Sequence, residues 1–126
     1  MNLQESGEMY LETILVLREK KPYVRSIDIC EHMSFSKPSV SRAVGLLKSG
    51  GYILVDNDGH ITLTDAGFEV AHKIYMRHKV LTEFLTGIGV TPETASEDAC
   101  KIEHDLSDES YRCIKSYYEK IKSSEK

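Results

Sequence analysis

Residues 34–67, SFSKPSVSRAVGLLKSGGYILVDNDGHITLTDAG, decide the fold of this 126-residue chain. Ser36 is a typical N-cap, and Pro38 fits the first turn of a helix, where its missing N–H is not needed. The glycine pair at residues 50–51 predicts the end of that helix. The strand-like segments YILV and HITLT flank the turn DNDG at residues 56–59, which is typical of a hairpin. The stretch therefore predicts a helix followed directly by a β-hairpin.

Two more helices precede this unit. Apolar residues recur at helical spacing over residues 6–20, and a second, short helix fits residues 25–33. Helix, helix, short turn, helix and hairpin is the order of a winged helix-turn-helix. We expect this domain to occupy residues 1–65.

The rest of the chain, residues 66–126, reads as helical. Thr64 caps a long helix that runs to about Gly87, and further helix starts occur at Thr91 and Ser107, whereas the polar tail from residue 120 should fray. The predicted inner face of the long helix contains Phe68, Ala71, Ile74, Leu81 and Leu85. Amphipathic helices after a wing more often build a dimer interface than a cap. The expected fold is mainly α: an N-terminal winged helix-turn-helix followed by a helical dimerisation domain.

Composition narrows the class of protein. The net charge of -4 argues against nucleic acid, yet residues 20–63 contain six basic and only four acidic residues. No apolar run approaches the ~20 residues that cross a bilayer, and the polar N-terminus is unlike a signal peptide. The three cysteines share no CxxC spacing, which favours a reducing compartment. We therefore expect a cytoplasmic protein without a membrane partner.

The third helix would read DNA, because the second helix of a helix-turn-helix enters the major groove with its first turn against the bases. The residues that this turn presents are Ser36, Lys37, Pro38, Ser39 and Arg42. Arg42 can bond guanine through two hydrogen bonds. Residues placed for phosphates are Arg25, Ser41 and Lys48. Since the basic excess is small, two subunits would have to bind double-stranded operator DNA together. The alternative is a winged-helix module that binds a protein partner and needs no metal.

A second motif could bind a metal ion. Cys100, Glu103 and His104 occupy positions i, i+3 and i+4, so a thiolate, a carboxylate and an imidazole lie on one side of a helix. His78 lies on the apolar stripe of the long helix, where a hydrogen-bonded core histidine is the other interpretation. A metal-dependent hydrolase would need an open coordination position and a general base, and no HExxH motif occurs. We therefore do not expect an enzyme.

Five segments together resemble one family. They are GEMYLETI (7–14), SKPSVSRAV (36–44), GHITLTDAG (59–67), RHKVLTEFL (77–85) and EDACKIEHDLSDE (97–109). They resemble the diphtheria-toxin-repressor family of metal-dependent bacterial repressors. The resemblance implies a winged-helix domain, a helical dimerisation domain, and repression of metal-uptake genes when Fe²⁺ or Mn²⁺ is bound. In length the chain is similar to the short members without an SH3-like domain.

The resemblance also implies a ligand set. Met9, Cys100, Glu103 and His104 match ligands of the iron-responsive branch, whereas Glu12 and His78 match the manganese-responsive branch. That second branch has an aspartate in place of Met9 and a glutamate in place of Cys100. Of the ancillary iron-branch site only His78 is kept, because Ser96 and Thr82 stand at its other positions. Thioether and thiolate ligands disfavour Mn²⁺. We therefore expect Fe²⁺ as the cofactor and Mn²⁺ second, with Zn²⁺, Co²⁺ or Ni²⁺ able to bind in vitro.

Overall fold

The computed structural model describes residues 5–124, which form six helices and one hairpin. The elements are α1 (Glu5–Lys20), α2 (Ser26–Met33), α3 (Lys37–Ser49), β1 (Ile53–Val55), β2 (Ile61–Leu63), α4 (Asp65–Gly87), α5 (Pro92–Asp105) and α6 (Asp108–Ser124). Their order confirms the predicted winged helix followed by helices. No helix within residues 5–124 has the length and apolar character needed to cross a membrane.

Contacts divide the chain into two units within α4, between Lys73 and Ile74. The first unit has one continuous apolar core, to which α1, α2, α3, the hairpin and the start of α4 all contribute. Its members are Tyr10, Leu11, Ile14, Leu17, Val24, Ile29, Val40, Val44, Leu47, Ile53, Ile61 and Ala71. The inner stripe of α3, made of Val40, Val44 and Leu47, is buried. This packing leaves the opposite face of α3 exposed to solvent.

The connections around α3 follow from local chemistry. Ser36 caps α3 by accepting a hydrogen bond from the Ser39 N–H at 3.3 Å, and Gly51 reverses the chain with a φ of +82°. The antiparallel strands pair Ile53 with Leu63 and Val55 with Ile61.

Thr64 joins the hairpin to α4. Its hydroxyl donates to the Gly51 carbonyl at 2.7 Å and accepts from the Gly67 N–H at 3.1 Å, which confirms the predicted cap. Gly67 lies against the backbone of Tyr52, where a Cβ atom would collide with the carbonyl oxygen. The hairpin and the first turn of α4 are thus in direct backbone contact.

The second unit contains the rest of α4 together with α5 and α6. On α5 the buried positions are Ala95, Ala99 and Glu103, spaced four residues apart. On α4, Ile74 and Leu81 are buried as predicted.

Two expectations fail in the helices after the wing. Phe68, predicted on the inner face of α4, is 49% exposed and stacks on His72 instead. The polar tail does not fray at residue 120, because α6 remains helical as far as Ser124.

Candidate metal centre and recognition helix

The carboxylate of Glu103 is the centre of the candidate metal site. It is fully buried, at 0% exposure. One oxygen, Oε2, lies 2.9 Å from Nδ1 of His78 on α4. The other, Oε1, lies 3.4 Å from Nε2 of His104, the next residue on α5, without a hydrogen bond between the two atoms. The structure therefore brings three of the predicted ligands together in the second unit.

These residues fit a divalent cation. An ionised carboxylate is costly to bury unless positive charge or hydrogen bonds compensate it. Oε1 of Glu103 is buried and no hydrogen bond reaches it from residues 5–124. Nε2 of His104, on a side chain that is 1% exposed, is buried beside it. A carboxylate oxygen and an imidazole nitrogen next to each other form a donor pair suited to Fe²⁺, Mn²⁺ or Zn²⁺.

His78 orients this carboxylate from the other side. In the tautomer that has its proton on Nδ1, His78 donates a hydrogen bond to Oε2 of Glu103. Nε2 of the same ring then accepts from the Ser96 hydroxyl at 3.4 Å. A histidine held by a carboxylate in this manner is a common arrangement around protein-bound metals. The other interpretation of His78 from the sequence, a core histidine held by a hydrogen bond, is consistent with the same contact to Glu103.

Cys100 lies one turn before Glu103 and is half-buried. It lines an open cavity whose walls are His78, Glu93, Ser96, Glu97, Cys100 and Lys101. The thiol therefore shares a cavity with the imidazole of His78. On α1 in the first unit, Met9 and Glu12 are both half-buried and lie one turn apart.

Arg77 is a residue that the sequence reasoning missed. Its side chain is 4% exposed, and Nη1 donates to the carbonyl oxygens of Glu103 at 3.2 Å and Leu106 at 2.7 Å. Nη2 bonds the carboxylate of Asp108, and the guanidinium lies over the Tyr111 ring, 4.9 Å from its centroid. Arg77 thus ties the end of α5 to the start of α6 and holds the backbone of Glu103.

All the residues predicted to contact DNA lie on the exposed surface of the first unit. They are Arg25, Ser36, Lys37, Pro38, Ser39, Ser41, Arg42 and Lys48. Two of the hydroxyls are already engaged, because Ser36 both caps α3 and donates to Oγ of Ser39 at 2.9 Å. Arg42 and Lys37 present cationic groups from the first turns of the same helix.

Asp56, at the wing tip, stays ionised. Its Oδ1 accepts backbone hydrogen bonds from His60 at 2.8 Å and Asp58 at 2.9 Å. These bonds, that from His60 above all, hold the pKa of the Asp56 carboxyl below its usual range. The turn at residues 56–59 therefore carries negative charge, which does not favour a phosphate contact by the turn residues themselves.

Two family models match the chain almost end to end. One, described as the N-terminal DNA binding domain of iron dependent repressors, matches residues 2–61. The other, described as their metal binding and dimerisation domain, matches residues 64–126. The chain belongs to the iron-dependent repressor family. The resemblance seen in the five sequence segments is thereby confirmed.

Known relatives agree with this assignment. An HTH-type transcriptional regulator of Methanocaldococcus jannaschii is 35% identical over 122 residues, which is 95% of this chain and 98% of that protein. The regulator MntR of Geobacillus kaustophilus is 36% identical over 102 residues, 81% of this chain and 72% of its own length. The solved manganese regulator SloR superimposes with a TM-score of 0.80 at 28% identity over 94% of this chain. The chain spans 55% of the SloR chain in that structure.

Family membership settles the class of protein. The matched models are those of metal-binding repressors, and the family consists of transcriptional regulators, not enzymes. This agrees with the expectation that the chain is not a hydrolase. It also favours a metal-dependent regulator over the metal-independent interaction module.

Proposed function

We propose that this protein is a repressor that binds operator DNA as a homodimer when it is loaded with Fe²⁺, or secondarily Mn²⁺, and controls genes for metal uptake. The proposed ligands are Met9, Glu12, His78, Cys100, Glu103 and His104. The proposed DNA contacts are Arg25, Ser36, Lys37, Pro38, Ser39, Ser41, Arg42 and Lys48. As proposed domains, residues 1–65 bind DNA and residues 66–126 bind metal and form the dimer.

The observation that carries the proposal is the buried Glu103 carboxylate, which has an imidazole against each oxygen. When bound, a divalent cation supplies positive charge that neutralises this carboxylate and joins the side chains that coordinate it. His78 holds one carboxylate oxygen, and Arg77 holds the Glu103 backbone. His104 must be neutral and Cys100 a thiolate to act as ligands, so loading should release protons and weaken at low pH.

The choice of Fe²⁺ depends on two side chains. The similar solved structures include the manganese regulator SloR and a manganese-dependent transcriptional repressor in complex with manganese. In this chain Met9 and Cys100 offer sulfur at two positions where the manganese-responsive branch of the family has carboxylates. Sulfur ligands favour the later first-row metals over Mn²⁺. We therefore place Fe²⁺ before Mn²⁺ as the activating ion.

Repression follows from linkage between the two ligands of the protein. If metal binding stabilises the DNA-binding arrangement, DNA must tighten metal binding by the same factor. Coupling free energies of ~1–3 kcal/mol are typical, which corresponds to about 5- to 150-fold in affinity. Equal metal affinities with and without bound DNA would contradict this mechanism.

The first experiment tests the buried carboxylate. Glu103→Gln keeps the volume and removes the charge, whereas Glu109→Gln makes the same change at an exposed position on α6. We expect anaerobic Fe²⁺, at about 100 times its Kd, to stabilise the wild type and Glu109→Gln by about 2.7 kcal/mol in urea unfolding. Glu103→Gln should show almost none of this gain. Undiminished stabilisation of Glu103→Gln by metal would refute the proposed centre.

The second experiment tests the metal preference. The double variant Met9→Asp with Cys100→Glu replaces both sulfur ligands by the carboxylates of the manganese branch. We expect the ratio of the Mn²⁺ Kd to the Fe²⁺ Kd to fall by at least tenfold in this variant. DNA binding by the wild type at lower free Mn²⁺ than free Fe²⁺ would reverse the proposed order of the two metals.

A further inference from the structure

A group of four side chains lies beside the turn of the wing, within the first unit. We call Tyr23, Arg25, Asp56 and His60 the wing-turn cluster. The rings of Tyr23 and His60 are stacked, with centroids 4.3 Å apart and planes at 18°. Nη2 of Arg25 lies 3.2 Å from Nε2 of His60, and Oδ2 of Asp56 lies 3.4 Å from Nδ1 of the same ring. His60 is therefore in contact with all three partners.

The backbone on both sides of this cluster is fixed. The Ile61 N–H donates to the Val24 carbonyl at 2.7 Å, so the segment before α2 lies along strand β2. The Arg25 N–H donates to the Asp28 carboxylate at 2.8 Å at the start of α2. The Cα atoms of Arg25 and His60 are thus held by hydrogen bonds that do not involve the Arg25 side chain. The Arg25 side chain itself is hydrogen-bonded to His60.

The chemistry of the contact between Arg25 and His60 determines which atom donates and which accepts the hydrogen bond. A guanidinium has five N–H donors and no acceptor, so Nε2 of His60 accepts the hydrogen bond from Arg25. The ring proton must then be on Nδ1, which faces the ionised Asp56 carboxylate. One bond to His60 leaves four guanidinium donors for another acceptor. Arg25 is exposed, so such an acceptor can reach it from solvent.

We propose that His60 is a positioning residue that holds the Arg25 guanidinium ready to bind a DNA phosphate. The inference rests on the proposed function, because it takes Arg25 to be a phosphate contact. An unrestrained arginine loses rotamer freedom when it binds, whereas a side chain that is already held loses less. His60 therefore strengthens DNA binding without touching DNA, and Tyr23 keeps the imidazole plane in place.

The test measures binding to a random-sequence 30-base-pair duplex by fluorescence anisotropy, with Mn²⁺ present, over a series of salt concentrations. His60→Phe keeps a ring that can stack on Tyr23 and removes the acceptor nitrogen. We expect binding about 2- to 10-fold weaker than wild type, the effect of one side chain that must be ordered on binding. His60→Gln, whose amide oxygen can accept from Arg25, should bind within twofold of wild type.

Arg25→Ala identifies the contact through which His60 acts. Its slope of log K against log salt should be smaller by about 0.9, the value for one phosphate. The double variant Arg25→Ala with His60→Phe should bind as Arg25→Ala does, because His60 has nothing left to position. His72→Phe is the matched control: it removes an exposed imidazole stacked on Phe68, outside the predicted DNA contacts, and should bind as wild type.

Three results would overturn the inference: wild-type affinity in His60→Phe, an equal loss from His60→Phe with and without Arg25, or an unchanged salt slope in Arg25→Ala. Thermal unfolding of each variant detects a folding defect. A misfolded wing would also make the double variant bind DNA more weakly than Arg25→Ala alone, whereas loss of positioning would not. A wild-type protein that does not bind the duplex at all would instead refute the proposed function, and this inference with it.

Discussion

Replacement of Arg77 by methionine should destabilise the second unit and weaken its metal site together. Methionine is unbranched and apolar, so it replaces the buried aliphatic stem of Arg77 while all the guanidinium hydrogen bonds are removed. The carbonyl oxygens of Glu103 and Leu106 lose bonds of 3.2 and 2.7 Å. The Asp108 carboxylate also loses its bond to Arg77, but its side chain is 66% exposed and water can hydrate it.

The two carbonyls set the magnitude. A buried acceptor without a donor costs about 1–3 kcal/mol, and the contact with Leu106 is only part-buried. The loss of the Tyr111 contact adds a fraction of a kcal/mol. We therefore expect about 2–4 kcal/mol of lost stability, or a Tm lower by about 10 °C for a chain of this length. Because Arg77 holds the Glu103 backbone, the metal Kd should rise about 10- to 100-fold.

Urea unfolding with and without Mn²⁺ measures both effects on the same samples. Lys79→Met is the control, since Lys79 is exposed on the same helix and its ammonium lies 4.6 Å from the centroid of the Tyr75 ring. It should change stability by less than about 1 kcal/mol. A destabilised Arg77→Met protein with unchanged metal affinity would show that Arg77 braces the fold and does not position Glu103. Wild-type stability would refute the burial argument itself.

Three further changes test other parts of the structure. Gly67→Ala should lower stability by about 1–3 kcal/mol in urea unfolding, because its Cβ would collide with the Tyr52 carbonyl; wild-type stability would mean that hairpin and helix separate easily. Hydrogen bonds from Lys21 and from the Arg25 backbone hold the pKa of Asp28 below its usual range. Asp28→Asn should therefore lower the free energy of unfolding by about 0.5–1 kcal/mol. Most of this loss comes from the hydrogen bond that caps α2, because solvent screens the Lys21 pair. The difference from wild type should vanish as acid protonates Asp28, and a difference that persists in acid would contradict this origin. Arg42→Ala should weaken binding to a selected operator by about 1–3 kcal/mol and relax preference at one base pair, which selection from a random DNA library would detect; unaltered preference would remove Arg42 from the base contacts.

The elements of the first unit were predictable because their signals are local. Ser36, Pro38 and the glycine pair at 50–51 delimit α3, and all three signals act within a few residues of the chain. Phe68 shows the limit of this reasoning. Helical spacing placed it on the inner face of α4, but spacing does not say whether another element covers that end of the face, and none buries the ring in the described chain.

The candidate site was partly predictable as well. The spacing of Glu103 and His104 and the position of His78 on an apolar stripe pointed to one cluster, and the structure brings all three together. Arg77 gave a signal that was overlooked, since it lies three residues after Ile74 and four before Leu81, both buried. A charged residue at such a position must find partners inside the protein. His60 gave no comparable signal, because its contacts with Tyr23 and Arg25 cross 35 residues or more.

Sequence alone determined the order of helices and strands, the capping residues, the face of α3 that presents Arg42, and the residue types that can ligate a metal. These properties depend on neighbours within a turn or two. Tertiary structure decided that Glu103 is fully buried, that Arg77 donates a hydrogen bond to its carbonyl oxygen, and that His60 lies within hydrogen-bond distance of Arg25. Burial and pairing between distant segments depend on how helices pack, because that packing decides which charged groups lose water and which partners replace it.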